Sequence, residues 1–222
     1  MELLLYIAVL FTVLFLLRFV QLLILVRKNQ KSSLAHRTNP ARTMIVMGSG
    51  GHTAEMLRIV ERLDCNRYTP RQYIIADTDK TSVVKVIESE VRREPDTAKQ
   101  MYEITTIGRS REVHQTYISS VMTTISAVFN CVPIILKAKP DLILTNGPGT
   151  CVPICLVAFL ARVLFLNTKC RIVFIESFCR VRSISLSGRI LLFIVDIFVV
   201  QWPELIQQTT LWRNDVRCFG RL

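Results

Sequence analysis

The hydrophobic and polar positions divide the chain into one long apolar start and a series of shorter apolar segments. From Leu3 to Leu17 no residue is charged, and the apolar character continues past Arg18 to Val26. This run has the roughly 20 residues that a membrane-spanning helix needs. A cleaved signal peptide is the alternative, but the run is too long and lacks a basic flank and a small-residue cleavage site. We therefore expect residues 1–27 to form a retained transmembrane anchor.

The charges on either side of this run predict its orientation. Only Glu2 precedes it, whereas the residues that follow include several basic and no acidic side chains: Arg27, Lys28, Lys31, Arg37 and Arg42. Because basic flanks stay in the cytosol, we expect a lumenal amino terminus, a basic cytosolic linker at 28–42 and a cytosolic domain at 43–222. The linker has no interleaved aromatic residues, so we expect no binding to nucleic acid.

Beyond the linker, short apolar runs rich in branched residues alternate with helical patterns. The predicted strands are Thr43–Met47, Arg71–Ala76, Met101–Ile104, Asp141–Leu144, Arg171–Ile175 and Ile197–Val200. The predicted helices are Ala54–Leu63, Thr81–Glu90, Val113–Leu136, Cys151–Leu166 and Leu186–Phe193. The strands are nearly continuous apolar runs, as a sheet covered on both faces requires. This succession predicts an α/β fold with a doubly wound, Rossmann-like parallel sheet.

Composition agrees with a membrane protein that has anionic partners. Half of the 222 residues are hydrophobic and the mean hydropathy is +0.37, which is high for a freely soluble protein. The net charge of +11 favours a membrane surface, phosphate-bearing ligands or nucleic acid. The seven cysteines form an odd set with no C-x-x-C pair, which indicates buried thiols in a reducing compartment. We read Cys151 and Cys155 as small apolar residues on a helix and expect no metal site.

Two glycine loops follow predicted strands and precede predicted helices. The first is Gly48-Ser49-Gly50-Gly51-His52-Thr53 and the second is Asn146-Gly147-Pro148-Gly149-Thr150. The first loop is not the dinucleotide fingerprint G-x-G-x-x-G, because Thr53 stands at its third glycine position. Ligands of open parallel sheets bind beyond the carboxyl ends of the strands, and helix amino termini suit anions. We therefore expect both loops to line one crevice that binds a diphosphate or a sugar.

Two side chains near this crevice are candidates for proton transfer. His52 can accept a proton from a hydroxyl, or it can simply cap its helix. Glu176, which follows the fifth strand, can orient or deprotonate a hydroxyl, or it can pair with Arg180 or Arg182. The position in the sequence leaves both alternatives open for each residue.

Three aspartates near strand ends have simpler interpretations. Asp77 and Asp79 follow the second strand and could bind a ribose, but Asp-Thr-Asp before a helix is also an ordinary helix cap, which we favour. Asp141 precedes its strand and therefore lies at the opposite edge of the sheet from the loops, so we assign it to a turn.

Several segments carry a family resemblance. These are GSGGHT, IADTD, SREV at 110–113, NGPGTCVPIC at 146–155, ESFCRV at 176–181 and QWP at 201–203. They resemble the membrane-anchoring subunit of the eukaryotic enzyme that adds the second N-acetylglucosamine to dolichol-linked oligosaccharide. The resemblance covers nearly all of the chain after the anchor, and NGPGTCVPIC is specific. Both glycine loops are also similar to those in the acceptor-binding half of the bacterial glycosyltransferase MurG, which has the two-domain GT-B fold.

This resemblance implies one half of a GT-B enzyme at the endoplasmic reticulum membrane. A separate soluble catalytic subunit would bind the donor UDP-N-acetylglucosamine, because this sequence shows no second sheet domain up to Leu222. This chain would bind no cofactor, present the acceptor N-acetylglucosaminyl-diphosphodolichol and be inactive alone. His52 matches the histidine that is a candidate base in MurG-like enzymes. The alternatives are a membrane scaffold with no part in the chemistry and a membrane-tethered, nucleotide-dependent oxidoreductase.

Overall fold

The sheet contains seven parallel strands among the residues that the computed structural model describes, which are 2–27, 37–94, 96, 101–108, 117–147, 149–209, 213 and 216–220. The strands are β1 (Thr43–Val46), β2 (Arg71–Ala76), β3 (Tyr102–Ile107), β4 (Leu142–Asn146), β5 (Arg171–Ile175), β6 (Ile197–Val200) and β7 (Arg217–Cys218). Their order is β3-β2-β1-β4-β5-β6-β7. The strand order reverses between β1 and β4, and ligands bind at this point in folds of this type.

Helices cover both faces of this sheet. They are α1 (Glu2–Arg27), α2 (Gly51–Val60), α3 (Lys80–Arg93), α4 (Tyr117–Ala138), α5 (Cys151–Val163), α6 (Leu186–Leu191) and α7 (Glu204–Thr209). Successive residues of β1 point to opposite faces, so Met44 packs with residues of α1, α4 and α5, whereas Ile45 packs with residues of α2 and α3. The two apolar layers explain why the strands are apolar throughout. The predicted doubly wound, Rossmann-like fold is confirmed.

The structure differs from the predicted elements mainly at their ends. The third strand continues to Ile107, three residues beyond its predicted end at Ile104. Thr105 and Thr106 end the apolar pattern from which the strand was predicted, but they still pair with β2. The second helix begins at Gly51, so the end of the first glycine loop forms its first turn. The short elements α7 and β7 were not predicted. Residues 28–36 of the linker, the SREV segment and the predicted start of α4 at 113–116 lie outside the described residues.

The apolar helix α1 is packed against the domain as well as being long enough to cross a membrane. It is the one helix of sufficient length and apolarity within the described part of the chain. The ring of Phe19 meets that of Phe159 on α5 edge to face, with centroids 5.6 Å apart. Leu22 and Val26 are buried in the core layer formed by α4 and α5. The carboxyl-terminal half of α1 is therefore part of the folded domain.

Polar contacts at the amino ends of the strands hold the centre of the sheet together. Asp141, just before β4, accepts a hydrogen bond from the backbone N–H of Arg42, just before β1, at 3.0 Å. The guanidinium of Arg37 lies 2.9 Å from the same carboxylate. Burial raises the pKa of Asp141, but these donors outweigh it and hold the pKa below its ordinary value. Asp141 thus closes the turn at the edge opposite the glycine loops, as its place in the sequence predicted.

Candidate functional site

The two glycine loops meet at the carboxyl ends of β1 and β4. These strands are neighbours, with Val46 opposite Thr145, so the loops that follow them lie side by side. His52 stands in the first turn of α2, and its Nδ1 lies 2.8 Å from Oδ1 of Asn146, the last residue of β4. Residues 94 positions apart in sequence are thus joined directly.

A third residue, Glu55, completes a chain of hydrogen bonds. The side-chain amide of Asn146 donates to Oε2 of Glu55 at 2.9 Å. The other carboxylate oxygen of Glu55 accepts from the hydroxyl of Ser177 at 2.8 Å. Sequence analysis missed Glu55, although His52 and Glu55 are three residues apart and therefore share one face of α2. That spacing was the available signal, but it does not reveal Asn146 as the link.

This chain fixes which nitrogen of His52 carries the proton. An ionised carboxylate only accepts hydrogen bonds, so Asn146 must turn its NH₂ group to Glu55 and its oxygen to His52. The imidazole must then donate from Nδ1, and in its neutral form this leaves Nε2 as an acceptor. His52 is partly exposed, so a bound hydroxyl can approach the ring. The arrangement is that of a base oriented by a second and a third group.

Gly147 lets the second loop pass against the imidazole. Its φ is +67°, a conformation that favours glycine, and a Cβ there would lie 2.7 Å from Cε1 of His52. Gly50 in the first loop has a similar φ of +63°, but a Cβ at that position would meet no atom of the described residues within 4 Å. Gly50 is therefore required by its backbone alone, and Gly147 by its backbone and by His52.

The other predicted residues of the first loop are of two kinds: one is buried and bonds to the loop backbone, and the rest are exposed. The hydroxyl of Thr53 is fully buried, donates to the carbonyl of Gly48 and lies 2.6 Å from the hydroxyl of Ser82. Thr53 thus stabilises the turn of the first glycine loop through its bond to Gly48. Ser49, Gly50 and Gly51 are exposed at the amino end of α2. Their position suits an anionic ligand that faces the helix dipole.

The second loop leads into α5 and carries a buried hydroxyl that lacks a partner. Gly149 is exposed, whereas Thr150 is buried and precedes the first residue of α5. The Thr150 hydroxyl neither caps the helix nor finds any hydrogen-bond partner among the described residues. Buried polar groups are nearly always satisfied, so this hydroxyl is a candidate for contact with a ligand.

Glu176 is held in a different set of contacts. Its carboxylate is fully buried and accepts from the backbone N–H and the hydroxyl of Ser185 at 3.0 and 3.1 Å. Burial raises the pKa of Glu176, and the bonds from Ser185 and Ser177 oppose that shift. Its hydrogen-bond partners among the described residues are these serines, and the positive charge of Arg180 also lowers its pKa. Glu176 does not contact His52 directly in the described contacts; Ser177, whose backbone N–H donates to Glu176, donates a hydrogen bond from its hydroxyl to Glu55.

Asp79 is used as a helix cap, as favoured from the sequence. Its carboxylate accepts from the backbone N–H of Ser82 at 3.1 Å and from the Ser82 hydroxyl at 2.6 Å. This contact stabilises the amino end of α3 and leaves Asp79 engaged.

Comparisons with known proteins agree with this architecture. Residues 43–219 match the family model described as "Oligosaccharide biosynthesis protein Alg14 like". The chain belongs to the Alg14 family. The resemblance inferred from the sequence motifs is thereby confirmed. The matched range contains all seven strands of this chain, both glycine loops and the residues His52, Glu55 and Asn146.

Individual relatives in the Alg14 family share between two fifths and one half of their aligned residues with this chain. Proteins named "UDP-N-acetylglucosamine transferase subunit ALG14" from Mus musculus and Homo sapiens are each 48% identical, over 168 and 165 residues. These matches cover 74% and 73% of this chain and 76% of each relative. The protein of the same name from Yarrowia lipolytica is 42% identical over 173 residues, which are 77% of each chain.

A solved structure supports the fold. The crystal structure of MurG from Acinetobacter baumannii matches with a TM-score of 0.52 at 15% identity. The match covers 74% of this Alg14-family chain and 42% of the MurG chain. The sequence-based prediction of one half of a GT-B fold agrees with this partial coverage.

Proposed function

We propose that this chain is the membrane-bound, acceptor-presenting subunit of a UDP-N-acetylglucosamine transferase of N-glycosylation. The enzyme would add the second N-acetylglucosamine to N-acetylglucosaminyl-diphosphodolichol. Family membership and the names of its relatives support the transferase complex. The chain of contacts from Glu55 through Asn146 to His52 is the observation that supports a direct role of this chain in catalysis.

In the proposed reaction, a hydroxyl of the acceptor sugar attacks the anomeric carbon of the donor with inversion. The new C–O bond forms as the bond to UDP breaks, and the hydroxyl proton passes to Nε2 of His52. The acceptor diphosphate would lie at the amino ends of α2 and α5, against Ser49, Gly50, Gly51, Gly149 and Thr150. The donor would be bound by a separate soluble catalytic subunit, and this chain would hold no cofactor.

The cellular setting follows from α1 and its flanks. We propose a single pass through the endoplasmic reticulum membrane, with the folded domain on the cytosolic face. The free apolar part of α1 and the basic residues that follow it support this orientation.

The two alternative functions have less support. A pure scaffold has no need for an imidazole whose Nδ1 is fixed by a buried amide and a carboxylate. A nucleotide-dependent oxidoreductase is disfavoured by Thr53, which stands at the third glycine position of the dinucleotide fingerprint. Of the two acids after β2 that could hold a ribose, Asp79 is engaged as the cap of α3.

The proposal is tested with the assembled complex of this chain and its soluble partner. His52→Ala should reduce turnover about 10²- to 10⁴-fold, the usual contribution of a positioned base, without loss of co-purification. Glu55→Gln should reduce turnover by less, about 10- to 100-fold, and change the pH dependence of turnover, because Asn146 loses the fixed acceptor that orients it.

Glu61→Gln is the matched control, because Glu61 caps the other end of α2 and bonds to Ser89 and Arg92. It should leave turnover unchanged. Near wild-type turnover of the His52→Ala complex would exclude His52 as the base and leave Glu176 as the candidate.

A further inference from the structure

The residues assigned to the site above include no positive side chain for the diphosphate that they are proposed to bind. The two acidic side chains described there, Glu55 and Glu176, are unfavourable neighbours for a phosphate. His52 must be neutral to accept a proton. The amino ends of α2 and α5 supply only about half of an elementary charge each. Where the missing charge comes from is a question that rests on the proposed function, which places the diphosphate here.

The segment after β5 carries positive charge on the same edge of the sheet. We call residues 178–182 the arginine loop, because this segment contains Arg180 and Arg182. All five of its residues are exposed. The sequence from 177 to 195 contains no acidic residue, so these charges are not neutralised by their neighbours along the chain.

The arginine loop begins at the chain of contacts that orients His52. Oε1 of Glu55 accepts a hydrogen bond from the hydroxyl of Ser177 at 2.8 Å, and Oε2 accepts one from the backbone N–H of Phe178 at 3.4 Å. Glu55 is also bonded to Asn146, which contacts His52. A ligand that is bound at His52 therefore lies near the start of the arginine loop.

The buried carboxylate of Glu176 holds the base of the arginine loop. Its Oε1 accepts from the backbone N–H of Ser177 at 3.3 Å, just before the loop, and its Oε2 accepts from that of Ser185 at 3.0 Å, shortly after the loop. A Cβ at Gly188 would lie 2.5 Å from Oε2, so the absence of a side chain there leaves room for the carboxylate. The segments on both sides of the loop are thus tied to one side chain.

Two side chains beyond β6 hold the body of the arginine loop. The carbonyl of Phe178 accepts a hydrogen bond from the indole N–H of Trp202 at 2.7 Å, and the rings of these two residues stack with centroids 6.5 Å apart. The carbonyl of Arg182 accepts from the side-chain amide of Gln208 on α7. The backbone is thus held in place while the side chains stay exposed, as is typical of loops that bind ligands. A loop that is already ordered also loses little conformational entropy on binding.

Arg180 is the better placed of the two arginines. Its backbone N–H closes a turn onto the carbonyl of Ser177 at 2.9 Å. Burial raises the pKa of Glu176, and the positive charge of Arg180 is among the contacts that oppose this shift. The guanidinium has no hydrogen bond or ion pair to any residue that the structure describes. Its planar fork of donors suits two parallel hydrogen bonds with a phosphate.

We propose that Arg180 binds a phosphate of the diphosphate substrate at this site. Its guanidinium would supply the positive charge that the glycine loops and the helix amino ends do not. Both substrates of the proposed reaction contain a diphosphate, namely the lipid-linked acceptor and UDP-N-acetylglucosamine. The chemistry that Arg180 recognises is the same in both, and kinetics with each substrate separate the two sources.

The first test measures the KM of each substrate with the assembled complex of the full chain and its soluble partner. Arg180→Gln should raise the KM of one substrate about 10-fold or more, because a charge-assisted hydrogen bond to phosphate is lost. A higher KM for the acceptor would assign the phosphate to the lipid-linked diphosphate, and a higher KM for UDP-N-acetylglucosamine would assign it to the donor. Arg182→Gln is the matched control in the same loop and should change either KM by less than about twofold.

The second test measures binding of inorganic pyrophosphate to the full chain in a non-ionic detergent by titration calorimetry. Arg180→Gln should bind about 10-fold more weakly than the wild-type chain. Arg180→Lys should lose less, because it keeps the charge but not the planar fork. Arg182→Gln should bind as the wild-type chain does. Thermal midpoints of all variants should be unchanged, because both side chains are exposed.

The outcomes separate this inference from the proposed function. Unchanged KM values for Arg180→Gln in an active complex would overturn the phosphate contact, as would equal losses for Arg182→Gln. A thermal midpoint several degrees lower for Arg180→Gln would assign the side chain to the fold and also overturn it. If the wild-type complex transferred no sugar while pyrophosphate binding still depended on Arg180, the proposed function would fail and the phosphate site would stand.

Discussion

At the scale of single residues, Gly50 and Gly147 provide a matched pair. Both have a positive φ, so alanine at either position should reduce the free energy of unfolding, by about 1–3 kcal/mol. Only at Gly147 does the new Cβ collide with the imidazole of His52. We therefore expect Gly147→Ala to reduce turnover of the complex about 10-fold or more by displacing the imidazole, and Gly50→Ala, which acts only through the backbone of the first loop, to reduce it by less.

Unfolding and turnover measured on both variants check this prediction. Equal losses of turnover would show that the loops act through their backbone alone. If the two variants have equal turnover and Gly147→Ala loses more unfolding free energy than Gly50→Ala, the imidazole can move away from the new Cβ without loss of activity.

The candidate site was predictable from the sequence only in part. His52 and both glycine loops were found because each lies next to a strand and a helix whose patterns are clear. Glu55 was missed because its role depends on Asn146, which is 91 positions away in sequence. The contacts of Glu176 with Ser185 were missed for a similar reason, since they require the fold of the segment before α6.

At the scale of elements, the Asp141 contact ties β4 to β1 and should depend on pH. The pKa of Asp141 is lower in the folded chain than its ordinary value, so the contact stabilises the fold above about pH 4 and is lost as the pH falls further. We expect Asp141→Asn to reduce the free energy of unfolding by about 1–2 kcal/mol at pH 7 and by less at pH 3.

Denaturant unfolding of the full chain in detergent at the two pH values measures this difference. Asp77→Asn, at an exposed position at the other end of the sheet, is the control and should have the same small effect at both. An effect of Asp141→Asn that does not change with pH would contradict the role of its charge.

The elements themselves were largely predictable, because long apolar runs and helical patterns are dictated by burial on two faces. Six of the strands were predicted, three of them (β2, β5 and β6) with the observed bounds and the others with errors of one to three residues at their ends. The exceptions, α7 and β7, have six and two residues. Segments of that length carry too little pattern, and their structure depends on the sheet edge already formed by β6.

At the scale of the whole molecule, the proposed function makes this chain one face of a two-part site. Relatives of the Alg14 family are named as transferase subunits, and the fold match covers 42% of the MurG chain. We expect the highly purified chain to transfer no sugar from UDP-N-acetylglucosamine and to become active when the soluble partner is added.

Transfer of labelled sugar to the lipid-linked acceptor, with and without partner, measures this dependence. The His52→Ala chain with partner is the control for contaminating activity. Robust transfer by the wild-type chain alone would contradict the split between two subunits.

The parallel pairing of β1 with β4 also determines when the site comes into existence. His52 leaves the ribosome early, soon after α1 and β1, but the amide of Asn146 that orients it is synthesised 94 residues later. Contacts between such distant segments form only after the chain between them has folded or been set aside. A partly made chain therefore carries an imidazole that no second group orients, and the proposed base is in place only after β4 has paired with β1.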